Sequence, residues 1–327
     1  MFKRTDFDHL STFFIAQEAL KQGYSVERLF PNTTKSGLKI THSDGRETYI
    51  MGQRAANLSY NAYFICKYKD LTKKLLSEND ISVSKGKSFS KNQCDEAIDY
   101  FQSISKPAVI KPTQGTWGSS VFLNVISTKE AKKIIEKINA TFLIEEQSIG
   151  DEYRILATRD EVLGIIHRIP ANIIGDGIHT IQELVKQKNS DPRRSDGHTS
   201  ALVKIKLDDE AQAILKEQNL TINSIPRKGK CILLRNNSNI STGGDSIDYT
   251  DKAHPEVLKL ATNVIKAIPG LPYAGFDFLT PDITKDPNEV GYTVIEINDS
   301  PMISMHHEPY EGIPRNVSAK IVSLLFK

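Results

Sequence analysis

Three oxygen-bearing side chains near the C-terminal end of the sequence are spaced so that they could hold a hard cation. Asp277 interrupts the apolar run Tyr273-Ala-Gly-Phe-Asp-Phe-Leu-Thr280, and Glu296 and Asn298 interrupt Tyr292-Thr-Val-Ile-Glu-Ile-Asn298. In an extended strand, residues i and i+2 point to the same side. Glu296 and Asn298 therefore project together, and Asp277 can join them from a neighbouring strand. Two carboxylates and an amide oxygen suit Mg²⁺, which binds through few protein ligands plus substrate phosphates. Taken alone, the pattern equally describes a half-buried antiparallel hairpin with its polar residues toward solvent.

A second group of residues suits anions. Lys111 closes the apolar run Pro107-Ala-Val-Ile-Lys-Pro112, and Thr113-Gln-Gly-Thr-Trp-Gly-Ser-Ser120 follows it. A glycine loop lets backbone N–H groups close on phosphate oxygens, and a nearby lysine supplies charge. Gly115, Gly118 and Ser119 are the loop's candidates, with Trp117 as packing or as a gate over a nucleotide. The competing reading is an ordinary hairpin loop with a solvated lysine. No GxxxxGK[ST] element occurs, and no GxGxxG opens a βαβ unit, which argues against P-loop and dinucleotide folds.

The stretch from Ile144 to Arg154 places acids between two strands, where a hinge could read an adenine and a ribose; acidic turns are also common. Arg168-Ile-Pro170 and Arg235-Asn-Asn-Ser-Asn-Ile-Ser-Thr-Gly-Gly244 each follow a strand. Their guanidinium and amide groups suit an anion that is held and released, such as an acyl phosphate, although turn formers alone would make a surface loop. His306 and His307 are adjacent, so a loop or substrate-contact role fits them better than shared ligation of one metal. No Ser–His–Asp or Cys–His order is evident.

The elements that must position these groups can be read from periodicity. Residues 11–30 form an amphipathic helix leading to a strand, and Leu38 to Ile50 a hairpin turning at Ser43-Asp-Gly45. Lys69 to Glu78 is helical, residues 83–92 read as a connecting loop, and a helix runs from Gln93 to Ser103. Strands at 107–112, 121–126 and 141–147, with a helix at 128–138, suggest a small lid hinged near 147–150. Strands at 153–158 and 162–169 begin a larger antiparallel core. Residues 175–230 form a polar insertion, and a helix at 316–326 closes the chain.

Bulk properties are ordinary. The 327 residues are 39% hydrophobic and 25% charged, with a net charge of +2, which gives no argument for nucleic acid or an anionic membrane. Cys66, Cys94 and Cys231 are scattered without metal-ligand spacing, as in a reducing cytosol. No signal peptide or transmembrane span is evident, so a cytoplasmic protein is expected.

Taken together, Lys69-Asp-Leu-Thr-Lys-Lys-Leu-Leu76, Val109-Ile-Lys-Pro112 with its glycine loop, Arg168-Ile-Pro-Ala-Asn172, Gly175-Asp-Gly177, Asp191-Pro-Arg-Arg194, Asn239-Ile-Ser-Thr-Gly-Gly244 and Glu296-Ile-Asn298 resemble the ATP-grasp superfamily. The similarity is greatest to the ligase half of bifunctional glutathione synthetases, with cyanophycin synthetase a near relative. The resemblance implies an α+β, ATP-grasp fold. Residues 1–85 would be a small N-terminal α/β region, 86–149 linker and lid, and 150–327 the catalytic subdomain with its antiparallel sheet. It also implies an amide-forming ligase of glutathione-biosynthesis type that cleaves ATP to ADP and phosphate, using Mg²⁺ or Mn²⁺, on small carboxylate and amine substrates. A homodimer is compatible with this reading. By motif, Lys69 and Lys111 would contact the ATP phosphates, Glu145, Gln147 and Ile149 the adenine, and Glu152 the ribose. Asp277, Glu296 and Asn298 would hold the metal, and Arg168, Arg235 and Asn239 the acyl phosphate and tetrahedral intermediate. Asp299-Ser300 departs from the glutathione pattern, and no glutamate–cysteine ligase half is present, so the substrate stays open: the same chemistry could serve other acids and amines, and a non-catalytic nucleotide-binding protein is the remaining alternative.

Overall fold

Two antiparallel sheets, a small three-stranded one and a helical insertion surround the acids singled out above. The computed structural model describes residues 2–115, 120–197 and 199–326. The N-terminal region packs α1 (Leu10–Lys21) on a sheet of β1 (Ser25–Arg28), β2 (Gly37–Thr41) and β3 (Glu47–Met51), followed by α2 (Tyr60–Lys67) and α3 (Lys69–Glu78). The next unit contains β4 (Gly86–Phe89), α4 (Cys94–Ser103), β5 (Ala108–Pro112), β6 (Phe122–Val125), α5 (Thr128–Lys137) and β7 (Phe142–Glu146). Its strands run in the order β4-β7-β5-β6. Phe89, Phe101, Ile110, Ile135 and Phe142 give this unit an apolar core of its own.

The main sheet contains β8 (Asp151–Thr158) and β9 (Val162–Ile169). After β10 (Asn172–Ile174) come α6 (Ile181–Lys188), β11 (Arg194–Ser195), β12 (Leu202–Val203), α7 (Asp209–Glu217) and β13 (Cys231–Leu233). This insertion is closed at its base by the β10–β13 pairing, and its core gathers Ile173, Ile181, Leu215 and Ile232. Asp245 anchors it to the sheet through a buried contact with Arg194 and a 2.5 Å pair with Lys188. The chain continues through β14 (Asp245–Asp248), α8 (Pro255–Lys266), β15 (Tyr273–Thr280), α9 (Pro287–Val290), β16 (Thr293–Asn298), α10 (Ser304–His307) and α11 (Val317–Ser323). The sheet order is β14-β9-β8-β15-β16, antiparallel throughout.

Alternation explains how this sheet presents acids. Phe276 and Phe278 are fully buried in the core beneath α8, each contributing roughly 2 kcal/mol of apolar burial. Anchoring the two flanking residues on one face forces Asp277 onto the other. Gly275 has no room for a side chain: a Cβ there would lie 2.8 Å from Pro301 and 3.3 Å from the Arg154 side chain.

One expectation is corrected. Residues 83–92 are not simply a loop, because Gly86–Phe89 pairs antiparallel with β7. An edge strand needs few apolar residues; only Phe89 of the four is buried, so the segment reads as polar.

Candidate active site

Strand register sets the site. Asp277 on β15 lies opposite Glu296 on β16 and opposite Arg154 on β8, so the three form one row across the sheet. Glu152 stands two residues before Arg154 on the same face, and Arg168 enters from β9. These groups line a cavity of about 600 Å³ together with Lys69, Lys111, Gly115 and Asn298.

The charges in this row are already matched. Arg154 lies 2.8 Å and Arg168 2.9 Å from Asp277 Oδ1. Arg168 also pairs with Glu152, whose other oxygen accepts from Ser238. Burial alone would push the Asp277 carboxyl up; the charge of Arg154, then that of Arg168, outweighs it and holds the group below the usual carboxylate range. Yet Asp277 Oδ1, Arg154 Nε and Arg168 Nε are buried without a hydrogen bond. Arg154 Nε meets Oδ1 as a charge without hydrogen-bond geometry, and Arg168 reaches Oδ1 through Nη2, leaving its own Nε unpaired. An orphaned acceptor beside two orphaned donors fits a ligand carrying both a cation and an anion.

A second buried cluster joins α3, β5 and β7. Glu145 accepts from Lys73 at 2.5 Å and pairs with Lys111, and all three side chains are almost fully buried. Burial raises Glu145, but Lys111 and then Lys73 bring it below its ordinary value. Lys73 is held below the usual lysine range by burial, with Glu145 opposing. Lys69, one helical turn before Lys73, bridges the two halves: its Nζ donates to the Gly115 carbonyl at 3.1 Å and sits 3.5 Å from Glu296.

The other candidates are placed as follows. Asn239 lines the cavity, and its side chain caps a short turn by accepting from the Ser241 N–H at 3.0 Å. Arg235 is not among the described residues that line the cavity. It donates to Asp208 at 2.7 Å and lies 3.4 Å from Glu210, which does line it. Gln147 exchanges two hydrogen bonds with Asn124, and Ile149 is exposed. Gly118, Ser119 and Trp117 lie outside the described residues. His306 and His307 do not serve as loop or substrate contacts. His306 is buried against Gly164 with its pKa pushed down to about 3 by burial. His307 stacks on Phe14 at 4.1 Å and pairs with Ser318. Among the described residues no three His, Cys, Asp or Glu side chains form a self-sufficient metal cage. A cation held by two carboxylates and an amide would therefore need the ligand's own oxygens to complete its coordination shell.

Arg154 and Lys73 were not singled out from the sequence. The signals were present: Arg154 follows Glu152 at strand spacing, and Lys73 follows Lys69 at helical spacing.

Comparison with known proteins agrees with this geometry. Residues 66–176 match the RimK-like ATP-grasp domain family. The glutathione biosynthesis bifunctional protein GshAB of Clostridium perfringens is 38% identical over 323 residues, covering 97% of this chain and 41% of that protein. Cyanophycin synthetase of Trichormus variabilis is 37% identical over 262 residues, covering 79% of this chain and 29% of that protein. The crystal structure of a bifunctional glutathione synthetase from Pasteurella multocida superposes with a TM-score of 0.75 at 34% identity, covering 98% of this chain and 44% of that one. The chain thus spans less than half the length of these relatives. No helix among the described residues is long and apolar enough to cross a membrane. With the fold, the row of charged residues and this similarity in agreement, the chain belongs to the ATP-grasp superfamily.

Proposed function

We propose that this chain is an ATP-dependent carboxylate–amine ligase that works through an acyl phosphate and releases ADP and phosphate. The observation that carries this reading is the single cavity where Asp277, Glu296 and Asn298 meet Lys69, Lys111 and two arginines with unsatisfied donors. A polyphosphate with its cation supplies what those orphaned groups lack. A divalent cation held by Asp277, Glu296 and Asn298, Mg²⁺ in our reading, would neutralise phosphate charge. Lys69 and Lys111 would position the phosphates, and phosphoryl transfer asks mainly for such positioning and charge. Glu145, Gln147 and Ile149 would serve the adenine side, and Glu152 would exchange Arg168 for the ribose. Arg168 and Asn239, with Arg235 once it leaves Asp208, would stabilise the anionic intermediates.

In this reading residues 86–149 act as a lid over 150–327, with 1–85 completing the wall, because an acyl phosphate must be kept from water. The separate core of the 86–146 region supports its moving as one body. The substrates are small acids and amines, and the relatives' names make γ-glutamylcysteine plus glycine the first pair to try. The scattered free cysteines suit a reducing cytoplasm. The test uses an acid labelled with ¹⁸O in its carboxylate. Label should appear in released phosphate, with ADP stoichiometric to amide. AMP and pyrophosphate as the products would sink the mechanism.

A further inference from the structure

A second chamber of about 770 Å³ adjoins the first, and Lys69, Glu296 and Asn298 line both. A molecule lying in the second chamber can therefore present one end to the phosphate side. Asp299, the next residue after Asn298, lines the second chamber but not the first. There it pairs with Arg54, whose guanidinium lies 5.1 Å from the Tyr63 ring centroid. The Arg54 side chain is 39% exposed and that of Asp299 12%. Both side chains line the chamber and Arg54 is partly exposed, so an entering ligand can reach the pair. Its chemistry is that of a zwitterion receptor. A guanidinium takes a carboxylate in a two-point contact, and a carboxylate takes an ammonium. Replacing the internal pair by the two ends of an α-amino acid head leaves no charge unmatched.

We infer that Arg54 and Asp299 clamp the α-carboxylate and α-ammonium of the acid substrate, while a second carboxylate on the same molecule reaches the junction at Lys69, Glu296 and Asn298. The inference rests on the ligase reading above and narrows it. The acid is an amino dicarboxylate or a short peptide with a free α-amino-acid head plus a further carboxylate. A simple monocarboxylic amino acid would have nothing left to activate once its head is clamped. Asp299-Ser300 is also where the sequence leaves the glutathione pattern, so this pair is placed to set which acid is accepted.

The test uses the full chain and a panel of L-glutamate, L-aspartate, γ-glutamylcysteine and β-aspartyl dipeptides. Each is also supplied as its N-acetyl and α-amide derivative. Phosphate release is measured with a panel of amines, and acid binding by calorimetry with and without a non-hydrolysable ATP analogue and Mg²⁺. Arg54→Gln and Asp299→Asn should each raise KM and Kd for the accepted acid about 10- to 100-fold, the range for losing one charged hydrogen bond, with kcat within about threefold. Asp299→Asn should no longer distinguish the N-acetyl derivative from its parent. Arg54→Lys, with thermal unfolding as a check on folding, should recover part of the loss. Binding that vanishes in either variant, without phosphate release by any pair, keeps the clamp and removes the ligase reading. Phosphate release supported only by acids lacking a zwitterionic head, or supported equally in both variants, overturns the clamp and keeps the ligase. Failure of every panel member to bind also overturns the clamp.

Discussion

Replacing Glu145 with glutamine should expose the energetics of the buried lysine pair on α3 and β5. The carboxylate lies between Lys73, at 2.5 Å, and Lys111, and its side chain is only 3% exposed. Removing one partner of a buried pair costs roughly 3–5 kcal/mol, because the remaining charge has lost its counterpart. Glutamine keeps an acceptor oxygen, so the low end, about 3 kcal/mol, is expected. For a chain of this size that corresponds to a fall in Tm of roughly 4–5 °C, at about 1.5 °C per kcal/mol from an unfolding entropy of about 2.1 cal/mol/K per residue. The pH dependence sharpens the prediction. Burial holds Lys73 below its ordinary value, so the unfolded chain binds more protons than the folded one in that window, and stability rises with pH there. Glu145 opposes that depression. Without it the folded-state value drops further, and the window widens toward neutral pH. Thermal unfolding of native and Glu145→Gln protein should therefore show a large gap near pH 7 that narrows as pH rises toward the ordinary lysine range. Lys73→Met in the same background should recover part of the loss. A Tm change under about 2 °C at pH 7, or a gap that stays constant or widens as pH rises, would refute this account of the cluster.

Glu296→Gln should leave the Tm within about 2 °C, because the side chain is partly exposed, and should cut phosphate release at least about 100-fold through lost metal binding. A near-native rate with Mg²⁺ would unseat the assignment. Backbone hydrogen exchange should slow across residues 107–149, most of all from Thr113 to Ser120, when an ATP analogue and Mg²⁺ are added; unchanged exchange with binding proven by calorimetry would argue against a closing lid. Arg235→Ala should reduce amide formation far more than nucleotide affinity, and the reverse pattern would move Arg235 to the nucleotide. Burial lowers His306 to about 3 and His307 to about 4, so folding excludes their protons and stability falls as pH drops from about 6.5 through those values. His306→Asn should flatten that acid slope by about half, as read by denaturant midpoints, and an unchanged slope would show that His306 does not titrate on unfolding.

Periodicity carried much of the reading. Lys69–Glu78 is helical at the bounds expected, and the β15–β16 hairpin sets Asp277 against Glu296 as strand alternation requires. Local pattern could not reveal pairing between distant segments. Arg154 faces Asp277 only because β8 and β15 are neighbours, and Arg54 meets Asp299 only because the N-terminal region folds back beside β16. The strand at Gly86–Phe89 escaped notice because an edge strand needs little apolar surface. Motif similarity suggests Glu145 on the adenine side; that its carboxylate also pairs with both Lys73 and Lys111 is a partnership no spacing announces.

The matched charges of the cavity have a consequence for how quickly a ligand comes and goes. Among the described residues that line it, Lys69, Lys111, Arg154 and Arg168 stand against Glu130, Glu152, Glu210, Asp277 and Glu296, four cations against five anions. From a distance these groups nearly cancel, so an approaching polyphosphate feels little steering from them, and its association rate should depend only weakly on ionic strength. Its grip comes from exchanging partners at contact. During departure the internal pairs re-form and compete with the leaving nucleotide. In the proposed ligase, the contacts that do little to speed capture would thereby favour turnover, returning the site to a balanced state without waiting for counterions from solvent.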